Sequence, residues 1–146
     1  MKPIKVLTVA GVMTPFPHSI DIEASLKEAM ATMKEYGVRH LPVTENELLV
    51  SVLSLRDIQV IMSPFQHDRE EVKELMVRDV CAVDAYVVDI HASAAKVVTM
   101  MIDRAIGSAV VTKEGRLAGI LTHTDIARKF LELIAPKSEE PDDWCA

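Results

Sequence analysis

Aromatic residues and long apolar runs are scarce in this sequence, and each scarcity excludes a class of protein. Aromatics make up 4% of the 146 residues, so any core must be built from aliphatic side chains and the eight methionines. No apolar stretch approaches the roughly 20 residues that a membrane-spanning helix needs. The segment Ile4–Met13 is interrupted by polar residues and makes a poor secretory signal. We therefore expect a cytoplasmic protein without membrane association.

Cysteine is equally scarce, and the histidines lack the spacing of metal ligands. Cys81 and Cys145 lie too far apart for a metal or redox motif, which predicts free thiols in a reducing compartment. The five histidines show no HxH, HxxxH or HExxH pattern. We expect no metal site.

Basic clusters are missing as well. The net charge is −6, and lysines and arginines do not form the runs that phosphate backbones require, so nucleic acid is not expected as a partner. A local basic pocket for one small anion remains compatible with this charge. With 49% apolar residues, the chain is long enough for one compact domain with a real core.

The most informative feature present is an internal repeat at an offset of 68 residues. The segment Ser19–Asp57 aligns without a gap to Val87–Asp125. Identical pairs include Asp21/Asp89, Ala24/Ala92, Ser25/Ser93, Met33/Met101, Leu53/Leu121 and Asp57/Asp125. A duplicated unit predicts one fold made of two similar halves, and the cleft between the halves is where a ligand is expected.

Each copy carries the same predicted order of elements: strand, helix, strand, strand, helix. In the first copy Leu26, Ala29, Met30 and Met33 form the apolar stripe of an amphipathic helix, which Gly37 should end. Two apolar runs joined by a short polar turn follow in each copy and predict a hairpin. Second helices are predicted at Asp57–Met62 and Asp125–Ile134. The segment Val72–Met76 resembles Val9–Met13 and is predicted to enter the second copy as Val9–Met13 enters the first.

These patterns divide the chain into four parts. The predicted boundaries are 8–63 for the first repeat, 64–71 for a polar linker, 72–134 for the second repeat and 135–146 for a flexible acidic tail.

Both copies end in Ser/Thr-x-x-Asp where a strand meets a helix, at Ser54–Asp57 and Thr122–Asp125. A hydroxyl followed three residues later by an acid is the signature of a capping box, which is a purely structural role. The same atoms also suit a nucleoside phosphate. A carboxylate accepts hydrogen bonds from a vicinal diol, and a helix N-terminus attracts phosphate. Both interpretations are compatible if these residues cap the helix when no ligand is bound and contact the ligand when one is bound.

The ordered set of motifs resembles a pair of CBS domains, the module named after cystathionine β-synthase. The first copy carries Val12-Met-Thr, then Val38-Arg-His-Leu-Pro-Val43, then Leu48–Asp57. The second carries Ile106-Gly-Ser-Ala-Val-Val111 and Gly119-Ile-Leu-Thr-His-Thr-Asp125. The resemblance covers roughly residues 8–134.

The resemblance implies an α/β (α+β) fold of two βαββα repeats packed sheet to sheet about a pseudo-twofold axis, in a disc-shaped homodimer. It implies a regulatory module that senses adenosine-containing ligands (AMP, ADP, ATP, S-adenosylmethionine or a dinucleotide), as in energy sensing, and signals to an effector protein. The adenine nucleotide would be a regulatory ligand, with no obligatory cofactor.

Site residues also follow from the resemblance. The ribose would be held by Thr122, Asp125, Ser54 and Asp57. The base would be lined by His18, Ile20, Val38, His40, Tyr86, Val88, Ile106 and Ser108. Phosphate would meet Arg56, His123, Arg39 and Arg104. The family usually has glycine where this chain has Ser51, and the second copy keeps Gly119, so we expect unequal clefts with the Asp125 cleft favoured.

Two other functions compete with the sensor. A ligand-independent dimerisation and protein-interaction module would use the Asp residues only as caps. An enzyme is not expected, because the sequence offers no nucleophile paired with a base.

Overall fold

Two small β-sheets, each covered by helices of its own repeat, form the molecule. The computed structural model describes residues 6–63, 74–82 and 84–136. The predicted linker at 64–71 lies outside the described residues, and so does the predicted tail beyond residue 136. In chain order the elements are a 3-10 turn Val9–Gly11, β1 Thr14–Pro15, β2 Ile20–Asp21, α1 Leu26–Tyr36, β3 His40–Glu45, β4 Leu48–Ser54, α2 Leu55–Ile61, α3 Val77–Val80, β5 Val87–Asp89, α4 Ala94–Asp103, β6 Ser108–Lys113, β7 Arg116–Thr122 and α5 His123–Ile134.

The two sheets repeat one topology, which confirms the predicted βαββα units. β2 pairs parallel with β3, and β3 pairs antiparallel with β4, giving the order β2-β3-β4. β5, β6 and β7 pair in the same way, and β1 adds to β7 to give the order β1-β7-β6-β5. The sheets meet where β4 approaches β7. This arrangement is the predicted pair of repeats packed through their sheets.

Local sequence accounts for where the elements begin and end. The Ser25 hydroxyl accepts from the N–H of Glu28 at 3.1 Å, and the Glu28 carboxylate accepts from the Ser25 N–H, which caps α1. Gly37 ends α1 in the left-handed conformation, as predicted. The second helices begin at Leu55 and His123, two residues before the predicted starts, because Ser54 and Thr122 are the N-caps.

The segments that enter the repeats cross over to the opposite sheet. Val9 is fully buried in the core of the second repeat, and its N–H donates to the carbonyl of Ala92 at 2.8 Å. Val77 is fully buried in the core of the first repeat, and its N–H donates to the carbonyl of Ala24 at 2.8 Å. Each repeat therefore completes its core with a valine from the segment that precedes the other repeat.

This crossing corrects one sequence-based prediction. We expected Val72–Met76 to play the part of Val9–Met13, but Val77 holds the place that corresponds to Val9. The bridges Thr8 to Ser93 and Met76 to Ser25 show the same equivalence. The 68-residue offset therefore continues through the entry segments, and the resemblance of Val72–Met76 was misleading because short apolar segments match at several offsets.

A glycine and a serine at equivalent positions fit two different neighbours. A Cβ on Gly119 would clash with the sulfur of Met13 and lie 3.0 Å from the carbonyl oxygen of Thr14. The equivalent Ser51 is buried, and its hydroxyl donates to the carbonyl of Ala82. Cys81 stands where the second repeat has Met13, so a smaller neighbour leaves room for the serine. Ser51 is accommodated by the entry segment through this hydrogen bond, and the expected inequality of the two clefts stays a prediction.

Candidate functional site

Two clefts open between the repeats, one beside each Ser/Thr-x-x-Asp motif. The first, which we call the Asp57 cleft, has a volume of about 700 Å³ and the second, the Asp125 cleft, about 510 Å³. Both lie within the size range of small-molecule sites. Residues of both repeats line each cleft, so a ligand in either would contact the two halves together.

In the Asp57 cleft, the first motif shares the wall with the loop at residues 105–108 of the second repeat. Ser54 caps α2, and its hydroxyl accepts from the N–H of Asp57 at 3.1 Å. Asp57 is exposed at the start of α2, so its carboxylate is open to a ligand. The predicted residues of this cleft are Ser54, Arg56, Asp57, Tyr86, Ile106 and Ser108.

The Asp125 cleft brings the second motif to the loop of the first repeat. It contains the predicted residues His18, Val38, Arg39, His40, Thr122, His123 and Asp125. Asp125 is only 4% exposed. One carboxylate oxygen, Oδ2, accepts from the N–H and hydroxyl of Thr122 at 2.8 and 3.0 Å. The other, Oδ1, accepts from the hydroxyl of Thr14 at 2.5 Å and from Arg128 at 3.4 Å.

The two motifs share one pattern, but their carboxylates differ in exposure and in hydrogen bonding. Asp57 presents its carboxylate to the cleft, whereas Asp125 already binds donors from three other residues. A diol entering the Asp125 cleft would exchange with the Thr14 hydroxyl, since a carboxylate has a limited number of acceptor positions.

A basic group of three residues, Arg39, His40 and His123, borders both clefts. A Cβ on Gly107 would lie 3.2 Å from Nε2 of His40, so the equivalent loops of the two repeats face each other here. Burial lowers the pKa of His40 below its ordinary value, and the neighbouring His123 and Arg39 lower it further, while Asp57 opposes them. His40 is therefore neutral at pH 7 and becomes a cation only when an anion or acid favours it.

This lowered pKa predicts a pH dependence of stability. In the folded chain the pKa of His40 lies below the value of about 6.5 that it has in the unfolded chain. As the pH falls, the unfolded chain binds this proton first, so His40 lowers the free energy of unfolding. We expect urea denaturation between about pH 7 and about pH 5 to show a smaller loss in His40→Gln than in the unmodified protein. An equal loss in both proteins would contradict this assignment, and His91→Gln, at an exposed position outside both clefts, is the matched control.

Three predicted residues do not reach the cleft walls among the described residues. Ile20 and Val88 pack against the two hydrophobic cores. The guanidinium of Arg104 lies 5.6 Å from the centre of the Tyr86 ring, in a cation–π contact. The equivalent pair in the first repeat is His18 stacked on Tyr36, with ring centres 3.5 Å apart.

Several cleft residues escaped the sequence reasoning, among them Thr14, Phe16, Arg128 and Asp84. Thr14 and Phe16 reach the Asp125 cleft because β1 pairs with β7, and Arg128 follows Asp125 by one helical turn. Asp84 reaches the Asp57 cleft at the position equivalent to Phe16. Arg128 had a signal in its spacing from Asp125, while the other three depend on the crossing of the entry segments.

Over 6–63, 74–82 and 84–136, no helix is long and apolar enough to span a bilayer. In the same ranges, no three His, Cys, Asp or Glu side chains gather as metal ligands.

A curated protein and two solved structures are similar to this chain. The "uncharacterized protein MJ0188" of Methanocaldococcus jannaschii is 27% identical over 136 residues, which cover 90% of this chain and 47% of that protein. This chain thus spans about half the length of that curated relative. The CBS domain pair of protein MJ0100, solved with 5′-methylthioadenosine and S-adenosyl-L-methionine, is 19% identical with a TM-score of 0.77, covering 88% of this chain and 98% of that one. CBSX2, solved with AMP, is 25% identical with a TM-score of 0.71, covering 86% and 97%.

The family model for the CBS domain matches this sequence twice, at residues 9–63 and 72–132. These matches include both sheets, both hydroxyl–acid motifs and most of the cleft residues. The chain belongs to the CBS-domain family and carries two CBS domains in tandem.

Proposed function

We propose that this protein is a regulatory module that binds an adenosine-containing ligand in the clefts between its repeats and signals to a partner protein. The ligand class is AMP, ADP, ATP or S-adenosylmethionine. The observation that carries the proposal is the pair of Ser/Thr-x-x-Asp motifs. Each motif lies at the start of a helix and borders a cleft that residues of the other repeat also line.

The chemistry of each cleft suits the parts of a nucleotide. The carboxylate of Asp57 or Asp125 accepts from the ribose diol, and the hydroxyl of Ser54 or Thr122 adds a contact. Arg39 supplies positive charge for phosphate between the clefts, and His40 and His123 supply ring N–H donors. The complexes of the similar structures with adenosine compounds support this ligand class.

Signalling follows from the two-sided walls of the clefts. A ligand changes the balance between two arrangements of the repeats only if it binds one arrangement more tightly. A ligand that contacts both repeats has this preference, because its contacts depend on how the repeats are placed. We propose that the protein works in the cytoplasm as a disc-shaped homodimer. A bound ligand, for instance a nucleotide that reports the energy state, changes the arrangement of the repeats, and an effector protein responds to that change.

Two observations favour a second candidate, a dimerisation and interaction module without a ligand. The hydroxyl–acid motifs cap their own helices, and the end of α5 exposes apolar side chains, namely Phe130, Leu131, Leu133 and Ile134. An exposed apolar group of this kind is typical of interaction surfaces.

Thermal unfolding with AMP, ADP, ATP, S-adenosylmethionine, NAD and GTP separates the two candidates. At about 100 times its dissociation constant, a ligand that binds the folded state adds about 2.7 kcal/mol of stability. We expect an adenosine ligand to raise the melting temperature and GTP to leave it unchanged. Titration calorimetry then gives the affinity and the number of sites.

The variant Asp57→Ala tests the site assignment because Asp57 is exposed and its loss should leave the fold intact. We expect at least a tenfold loss of affinity in one site, which corresponds to about 1.4 kcal/mol. Asp103→Ala, at an exposed position at the end of α4 outside both clefts, is the matched control. A flat ligand panel would reject the sensor and leave the interaction module.

A further inference from the structure

Phe16 combines two unfavourable properties at the rim of the Asp125 cleft. Its side chain is 88% exposed, although burial of an aromatic ring is among the more stabilising events in folding. Its φ angle is 48°, in the left-handed region that residues other than glycine rarely adopt. Outliers of this kind persist where the surrounding structure imposes them, and they concentrate at ligand sites.

The surrounding backbone holds Phe16 in this conformation. Pro15 pairs with Gly119 in the β1–β7 ladder, and the N–H of Phe16 donates to the carbonyl of Ala118 at 3.1 Å. Pro17 follows directly and by itself favours an extended Phe16, so the positive φ is imposed by the β1–β7 pairing. The ring is therefore presented at the cleft by a fixed backbone.

The aromatic ring distinguishes the two clefts. The position equivalent to Phe16 is Asp84, which borders the Asp57 cleft and carries no ring. In the Asp125 cleft Phe16 is joined by His18, whose ring stacks on Tyr36. Among the described residues, the Asp57 cleft is lined by the half-buried ring of Tyr86, whereas Phe16 places an exposed phenyl ring at the Asp125 cleft.

We propose that Phe16 is a specificity-determining residue of the Asp125 cleft, where its ring stacks on the base of a purine nucleotide. This inference rests on the proposed function and extends it, because it identifies the residue that favours a planar base. Stacking on an aromatic side chain contributes to the binding of every base, since each has a π face. The exposed ring then gains its apolar contacts when the ligand binds.

The variant Phe16→Gly tests the proposal through two effects of opposite sign. Glycine accepts the positive φ, so the melting temperature of the ligand-free protein should rise. Loss of the ring should weaken AMP binding about tenfold, within the range measured for base stacking. Both are measured in the Asp57→Ala background, so that titration calorimetry reports the Asp125 cleft. Phe16→Trp should retain AMP affinity.

Two controls separate stacking from other effects. Ribose 5-phosphate has no base, so its affinity should be the same before and after Phe16→Gly. Glu47→Gly places glycine at a position with a φ of 68° in the β3–β4 turn, away from both clefts. This variant should raise the melting temperature without changing AMP affinity.

Two results would overturn the role of the Phe16 ring, and a third would reject the proposed function. Unchanged AMP affinity in Phe16→Gly would overturn the role of the ring while leaving the proposed function intact. A fall in both melting temperature and affinity would also overturn it, because the ring would then be part of the folded structure. Absence of AMP and ATP binding in the unmodified protein would instead reject the proposed function, and the role of Phe16 with it.

Discussion

Replacement of Asp125 by alanine should lower the free energy of unfolding by about 3 kcal/mol, from the loss of a buried carboxylate that serves several donors. The substitution leaves the Thr122 N–H and the Thr14 hydroxyl without their acceptor, and it removes the ion pair with Arg128. The Thr14 contact also fastens β1 to the second repeat, so its loss should loosen the entry segment.

The matched variant is Asp57→Ala, which changes the same motif in the first repeat. Asp57 is exposed, so its replacement should cost less than about 1 kcal/mol, the usual size of a carboxylate effect at a helix start. Urea denaturation of both variants measures the difference. Equal losses in the two variants would show that the buried network around Asp125 adds nothing to stability.

Gly119→Ser should destabilise the protein by about 2 kcal/mol, in the range of overpacked core positions. The new side chain would clash with the sulfur of Met13 and approach the carbonyl of Thr14. Met13→Cys should also destabilise, because it removes packed atoms from the second core.

The double variant Met13→Cys/Gly119→Ser recreates the pair Cys81 and Ser51 of the first repeat. It should recover at least about 1 kcal/mol relative to the sum of the single losses, which is the signature of coupled neighbours. Denaturation under reducing conditions gives the four free energies of the cycle. Additive losses would refute the explanation of Gly119 by its contact with Met13.

The repeated elements and the places where they begin and end follow from local residue patterns. The stripe of Leu26, Ala29 and Met33 places one face of α1 in the core, because helical periodicity is a local property. Gly37 and Ser54 end and begin helices through hydrogen bonds to residues within one turn. The repeat itself predicted two equivalent halves with a cleft between them, and the family resemblance implied two clefts.

The differences between the two halves come from long-range contacts that no local pattern specifies. The same Ser/Thr-x-x-Asp gives an exposed Asp57 and a buried Asp125, because Thr14 and Arg128 reach Asp125 alone. The motif specifies its own helix start but not the long-range neighbours that desolvate its carboxylate.

The crossing of the entry segments has the same origin. Val9 is apolar in the sequence whichever core receives it, so periodicity cannot state which repeat it completes. That choice depends on strand pairing between residues more than 100 positions apart, such as Pro15 with Gly119. Phe16 reaches the Asp125 cleft through this pairing. Local patterns fixed the elements of this protein, and long-range pairing fixed which residues share a site.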